Sequence, residues 1–166
     1  MPRRERIIIS ILLIWALSAS FLTITLFYEV SRLRSIYKGE VITVDVGINY
    51  GNSTIVWYND TRILAGSSAY QALLIVAENV NASVGAMGVF VHGINGVNEY
   101  DSVYWFYAVY NKTVQSIWVK VDNWIYPGVS CNNLILDDGD IVVWIFFNYA
   151  KYANNFPIPT TTDYVR

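Results

Sequence analysis

Ile42-Thr43-Val44-Asp45-Val46-Gly47-Ile48-Asn49-Tyr50 alternates apolar residues with small or polar ones. A period of two marks a β-strand with one buried face. Tyr50-Gly51-Asn52-Ser53 follows as a turn, and residues 54–58 return as a second strand, so the domain opens with a hairpin. Downstream, Ser68-Ala69-Tyr70-Gln71 has the form of a capping box, with Ser68 at the N-cap and Gln71 at N3. Ala72, Leu73, Val76, Ala77 and Val80 then recur at helical spacing, and Asn79-Val80-Asn81 closes this helix. The rest reads as strand: residues 87–92, 103–110 (VYWFYAVY), 114–121, a short piece at 134–136, and 141–147 (IVVWIFF). Runs as apolar as VYWFYAVY and IVVWIFF belong to strands paired centrally or covered on both faces. Hairpin, helix, then several strands predict an α+β fold. One helix lies across a β-grasp-like, mixed and mainly antiparallel sheet over residues 40–150.

Ahead of this domain, residues 7–28 form a run of 22 residues without a charge. As a helix it would span roughly 33 Å, enough for a bilayer core. The apolarity continues well past the small residues at 16–20, which favours an uncleaved signal anchor over a cleaved peptide. Arg3, Arg4 and Arg6 precede the run, while Arg32, Arg34 and Lys38 follow it, so the positive-inside count is nearly balanced. Four sequons, at Asn52, Asn59, Asn81 and Asn111, read as glycosylation acceptors and place the domain outside the cell. The expected organisation is an Arg-rich tip and transmembrane anchor (1–28), a stalk (29–39), the extracytoplasmic domain (40–150) and an extended tail (151–166). The expected location is the cell membrane, as a single-pass protein.

Composition narrows the function. The chain is 54% hydrophobic and 14% charged, which excludes disorder. From residue 39 onward, five basic residues stand against eleven acidic ones, a balance near -6. Nucleic acid needs clustered Lys and Arg and is excluded as a partner. Cys131 and His92 are the only cysteine and the only histidine, so no zinc constellation forms. Cys131 reads as a buried, inert thiol, and His92 as a strand-end histidine bonded to backbone. Asp137-Asp138-Gly139-Asp140 reads as a turn rather than a calcium loop. No catalytic set, metal or cofactor is expected.

Three segments carry a family resemblance. Ile94-Asn95-Gly96-Val97 precedes Tyr104-Trp105-Phe106-Tyr107-Ala108-Val109, and Leu136-Asp137-Asp138-Gly139-Asp140-Ile141-Val142-Val143-Trp144 closes the domain, with the Ser-Ala-Tyr-Gln-Ala-Leu helix ahead of them. Over roughly residues 40–148 this resembles the transcobalamin-like C-terminal domain family, β-grasp-related domains of prokaryotic surface proteins. Two departures stand out. Asn111-Lys112-Thr113 replaces the family's usual Asn-Gly turn, and the chain has no large helical domain of the kind that completes the vitamin site in cobalamin carriers. The resemblance implies a fold and a corrinoid-like ligand.

Trp118 alternates onto the polar face of its strand, and Trp124 and Tyr126 read as a loop beside Pro127 and Gly128. Exposed aromatics of this kind mark binding surfaces. The reading is therefore a membrane-anchored binding or assembly module whose contact surface is Trp118, Trp124 and Tyr126. Its partners would be proteins or further copies of itself, met through these aromatics and the sheet edges. The alternatives are small-molecule capture and a filament subunit whose N-terminal helix packs in a filament core.

Overall fold

The computed structural model describes residues 15–16, 18–20, 22–28, 39–52, 54–152 and 156–157. Two compact units are present, residues 1–39 and 40–166. In the first, the described residues from 15 to 28 are helical and their large apolar side chains are exposed. Ser20 and Thr23 hydroxyls donate to the carbonyls of Ala16 and Ala19, both at 2.8 Å, so these polar groups are satisfied inside the helix. Among the described residues no helix is long and apolar enough to cross a membrane. Residues 7–14 of the expected anchor and 29–38 of the stalk lie outside the described residues, as does most of the expected tail.

The second unit contains β1 (Val41–Asn49), β2 (Ile55–Leu64), α1 (Ala69–Val76), β3 (Val80–Gly85), β4 (Gly88–Ile94), β5 (Val97–Asn98), β6 (Val103–Tyr110), β7 (Ile117–Val121), β8 (Trp124–Pro127), β9 (Ile141–Asn148) and α2 (Tyr149–Tyr152). One sheet has the order β2-β1-β9-β6-β8-β7, and a smaller one the order β3-β4-β5. β1 and β9 run parallel, and every other pair is antiparallel. The fold is thus mixed α+β, mostly sheet, with few helices.

Side chains of β9 alternate between two cores. Val142, Trp144 and Phe146 join Val44, Val46 and Ile48 of β1 beneath α1 and β4. Val143, Ile145 and Phe147 face the opposite side, where Trp124, Tyr126 and Phe156 cover them. Helix α1 begins as the capping box dictates: the Gln71 N–H donates to Ser68 Oγ, and the Ser68 N–H to Gln71 Oε1.

Three sequence expectations change. The helix stops at Val76 rather than near residue 80. Asn95 Oδ1 takes the N–H groups of Glu78 (2.8 Å) and Asn79 (3.2 Å), donors that a longer helix would have used internally. Val80 is thereby free to open β3 opposite Ile94. Residues 124–127 form a strand rather than a loop, and residues 134–136 make only an isolated bridge, Ser68 to Ile135.

Gly47 lets β2 close over β1. A Cβ there would meet the Trp57 ring at 2.8 Å and Ile55 at 2.9 Å. Gly47→Ala should destabilise the domain by about 1–3 kcal/mol through overpacking. A urea titration reads this as a lower midpoint; an unchanged midpoint would show that the Trp57 ring yields freely.

Candidate ligand-binding cleft

The cleft follows from backbone hydrogen bonding along β6. The Asn111 N–H donates to the Asn123 carbonyl (2.7 Å), and Val103 exchanges both of its backbone groups with Tyr100. Backbone groups alternate sides along a strand, so Val103, Trp105, Tyr107 and Val109 direct theirs away from β9. On that side β8 pairs only with Val109 and Tyr110. The Gly128 N–H donates to Ser116 of the segment before β7 (2.9 Å), which turns the neighbouring Pro127 nitrogen toward β6. Proline carries no N–H, so the next ladder bond, to the Tyr107 carbonyl, cannot form. β8 leaves β6 there, and a cleft of about 720 Å³ opens between them.

Trp105, Phe106 and Tyr107 of β6 form one wall. Ile117, Trp118 and the 126–131 segment form the second, and Met87, Val89 and Phe90 the third. The third wall is held by polar contacts. Val89 donates its N–H to Asn132 Oδ1 (2.8 Å) and accepts from Ser130 Oγ (2.8 Å). The Tyr107 hydroxyl donates to the Val129 carbonyl (2.7 Å) and replaces the missing backbone rung with a side-chain one. Gly88, at φ +123, is required in this corner, because a Cβ would lie 2.4 Å from Asn132 Oδ1. Among the described residues no charged one lines the cleft. Trp144, only 2% exposed, is part of the lining, and among the described residues its buried Nε1 has no hydrogen-bond partner.

The three aromatic residues singled out in the sequence do not share one surface. Trp118 is 48% exposed and stacks on Phe106 at 5.6 Å. Trp124 (3%) and Tyr126 (1%) are buried, which corrects the expectation that they present their rings outward. β8 pairs on both sides, so its even-numbered side chains enter the second core, where Tyr126 meets Phe156 at 4.8 Å and its hydroxyl donates to the Pro157 carbonyl (2.6 Å). Tyr126 lines the cleft from inside that core. In the sequence, Trp105, Tyr107 and Trp144 stand out only as parts of apolar strands, and Met87, Val89 and Phe90 only as parts of a short strand. Pro127 ending a strand beside a long aromatic neighbour was the signal that could have found the cleft.

Asn52, Asn59, Asn81 and Asn111 are all exposed. Asn59 and Asn81 lie within β2 and β3, not in turns. Cys131 and His92 do not meet: Cys131 Sγ lies 3.5 Å from the Val89 carbonyl, and His92 is bonded to side chains rather than to backbone. In the acidic turn, Asp138 Oδ1 accepts from the Thr43 N–H (2.8 Å), while Asp137 and Asp140 accept from Lys112 Nζ at 2.7 and 2.5 Å. Burial pulls the Lys112 pKa down, but the bonds to the two carboxylates outweigh it and the net shift is upward.

No family model and no curated protein matches the chain. Among solved structures it is similar to haptocorrin in complex with Cbi, at 13% identity and a TM-score of 0.49, over 66% of this chain and 26% of that one. The chain thus spans about a quarter of haptocorrin's length. It is also similar to a Ruminococcus gnavus ATCC 29149 protein suspected of binding metal, at 14% identity and a TM-score of 0.47, over 64% of this chain and 97% of that one.

Burial around the cleft makes stability depend on pH. Burial pushes the Cys131 thiol up to about 11 from 9.0, and lifts the Tyr107 and Tyr126 hydroxyls well above the usual tyrosine range. The unfolded chain releases these protons first, so stability is whole below pH about 9 and declines as pH rises through 11 and beyond. Thermal midpoints should fall steadily over that range, and a flat profile would contradict the burial.

Proposed function

We propose that the chain is a membrane-tethered, outward-facing binding module that holds a neutral, largely apolar ligand in the cleft between β6 and β8. The observation that carries this is the interrupted ladder at Pro127, which leaves an aromatic-walled space inside an otherwise continuous sheet. Its volume falls in the range of small-molecule sites, about 300–1,000 Å³. Walls without charge among the described residues favour a neutral ligand. The order β2-β1-β9-β6, with β1 parallel to β9 and α1 packed on one face, supports a grasp-like reading of this mixed sheet. The family resemblance implies a corrinoid, which is the first ligand to try. The uncharged run at residues 7–28 supports the tether, and the four exposed sequon asparagines support an outward-facing domain.

A second reading has one observation in its favour. The β6 edge at Trp105 and Tyr107 has no strand beside it among the described residues. An extended segment of a partner, or of a second copy, could add to it by β-augmentation.

Equilibrium dialysis against cobalamin should show retention at on the order of micromolar concentration. Trp118→Ala removes a half-exposed ring from the wall and should weaken retention by about tenfold or more. No retention by the intact protein would overturn the corrinoid assignment. Failure of an uncharged apolar dye such as Nile red to bind the native domain would overturn the cleft as a ligand site.

A further inference from the structure

His92 lies on the β3–β4–β5 sheet between two polar side chains. Its Nε2 is 2.6 Å from Ser83 Oγ, and its Nδ1 is 2.7 Å from Glu99 Oε1. The three come from separate elements: β3, β4, and the residue that follows β5. The fold builds this row deliberately. The Glu99 N–H donates to the His92 carbonyl (2.8 Å), which sets the two residues opposite each other. Gly93 lets β5 approach, since a Cβ there would lie 2.1 Å from Asn98 Oδ1. The register slips between Asn81 and Ala82, and this offset makes His92 the extra residue of β4, within reach of Ser83. With Glu99 ionised, Nδ1–H donates to Oε1, and Nε2 is left as the acceptor for the Ser83 hydroxyl.

We infer that Ser83, His92 and Glu99 form an ester-hydrolysing site, with Ser83 as nucleophile, His92 as general base and Glu99 as the residue that positions the imidazole. Nucleophile bonded to base, and base bonded to an orienting carboxylate, is the arrangement that activates a serine. Ser83 is exposed on the edge strand of the small sheet, and the His92 and Glu99 side chains are each 33% exposed, so a substrate reaches all three. Phe90 stands directly across the ladder from Ser83 and is itself 43% exposed. Its ring offers a surface for the apolar part of a carboxylic ester.

The chemistry balances without a metal or cofactor. Ser83 Oγ attacks the ester carbonyl carbon, and its proton passes to His92 Nε2. The bond to the leaving alcohol breaks, that alcohol takes the proton from His92, and the acyl group rests on Ser83. Water, deprotonated by His92, then attacks the acyl-serine. The carboxylic acid departs, and Ser83 recovers its proton. Ester and water become acid and alcohol. Because the trio supplies base and nucleophile, the suitable substrate for a test is an activated aryl ester, which asks least of oxyanion stabilisation.

The test uses the full chain, produced in a host that leaves Asn81 unglycosylated so that the strand beside Ser83 stays open. It should hydrolyse p-nitrophenyl butyrate, and an alkyl fluorophosphonate should add to Ser83, located by peptide mass. Ser83→Ala should abolish the adduct and lower kcat by about 10²-fold or more. Glu99→Gln should lower kcat by about tenfold with KM unchanged. Glu99→Asp should recover part of that loss, a rescue that a purely structural contact would not produce. Hydrolysis equal in Ser83→Ala and the intact protein, or a fluorophosphonate adduct absent from Ser83, would overturn the assignment. Ser83 is exposed and Glu99 partly so, and thermal midpoints near that of the intact chain are expected to accompany all three substitutions.

Discussion

β9 is buried on both faces, and the rest of the domain is organised by that constraint. A strand of Ile141-Val142-Val143-Trp144-Ile145-Phe146-Phe147 has no polar side to offer water, so it must sit between two paired strands with a cover above and below. β1 lies parallel on one side and β6 antiparallel on the other. Helix α1 and β4 supply one cover. β8 and Phe156 supply the second, which is why Trp124 and Tyr126 turn inward despite a sequence setting that suggests a loop.

The second cover is incomplete because of a single backbone atom. β8 can follow β6 only as far as its N–H groups allow, and Pro127 has none. Apolar rings that a continuous sheet would have buried against a neighbour instead line a cleft. The Tyr107 hydroxyl, bonded to Val129, keeps the two sides at a fixed separation. Packing requirement and cleft therefore arise from the same strand pair.

Much of this was legible in the sequence. The period of two at residues 42–50, the capping box at Ser68 and Gln71, and the apolar runs ending at residues 110 and 147 all have strong local causes, and the structure has strands and a helix there. What was not legible depends on partners distant in sequence. Asn95 ends helix α1 early from 16 residues away. β8 is only four residues long, and nothing local separates WIYP from a loop; its identity comes from β6 and β7 on either side. The same reason hid the cleft, whose walls come from strand β6 and the β3–β4 and β7–β8 hairpins. It hid the Ser83–His92–Glu99 row as well, because a hydrogen-bonded row across three strands has no fixed spacing along the chain.

On the proposed reading, a domain with an interior cleft and a Ser83–His92–Glu99 surface row captures a ligand in one place and presents a second chemistry on its small sheet. The two features share Phe90, which walls the cleft and faces Ser83 across the ladder. The cleft depends first on the open edge of β6, and amide hydrogen exchange resolved by residue tests that edge most directly. The Trp105 amide, directed into the cleft, should exchange about 10²-fold faster than the Phe106 amide, which bonds to β9, and should slow when a ligand occupies the cleft. Equal protection of Trp105 and Phe106 in the free protein would mean that another segment already pairs with β6, and the cleft would not be the binding site.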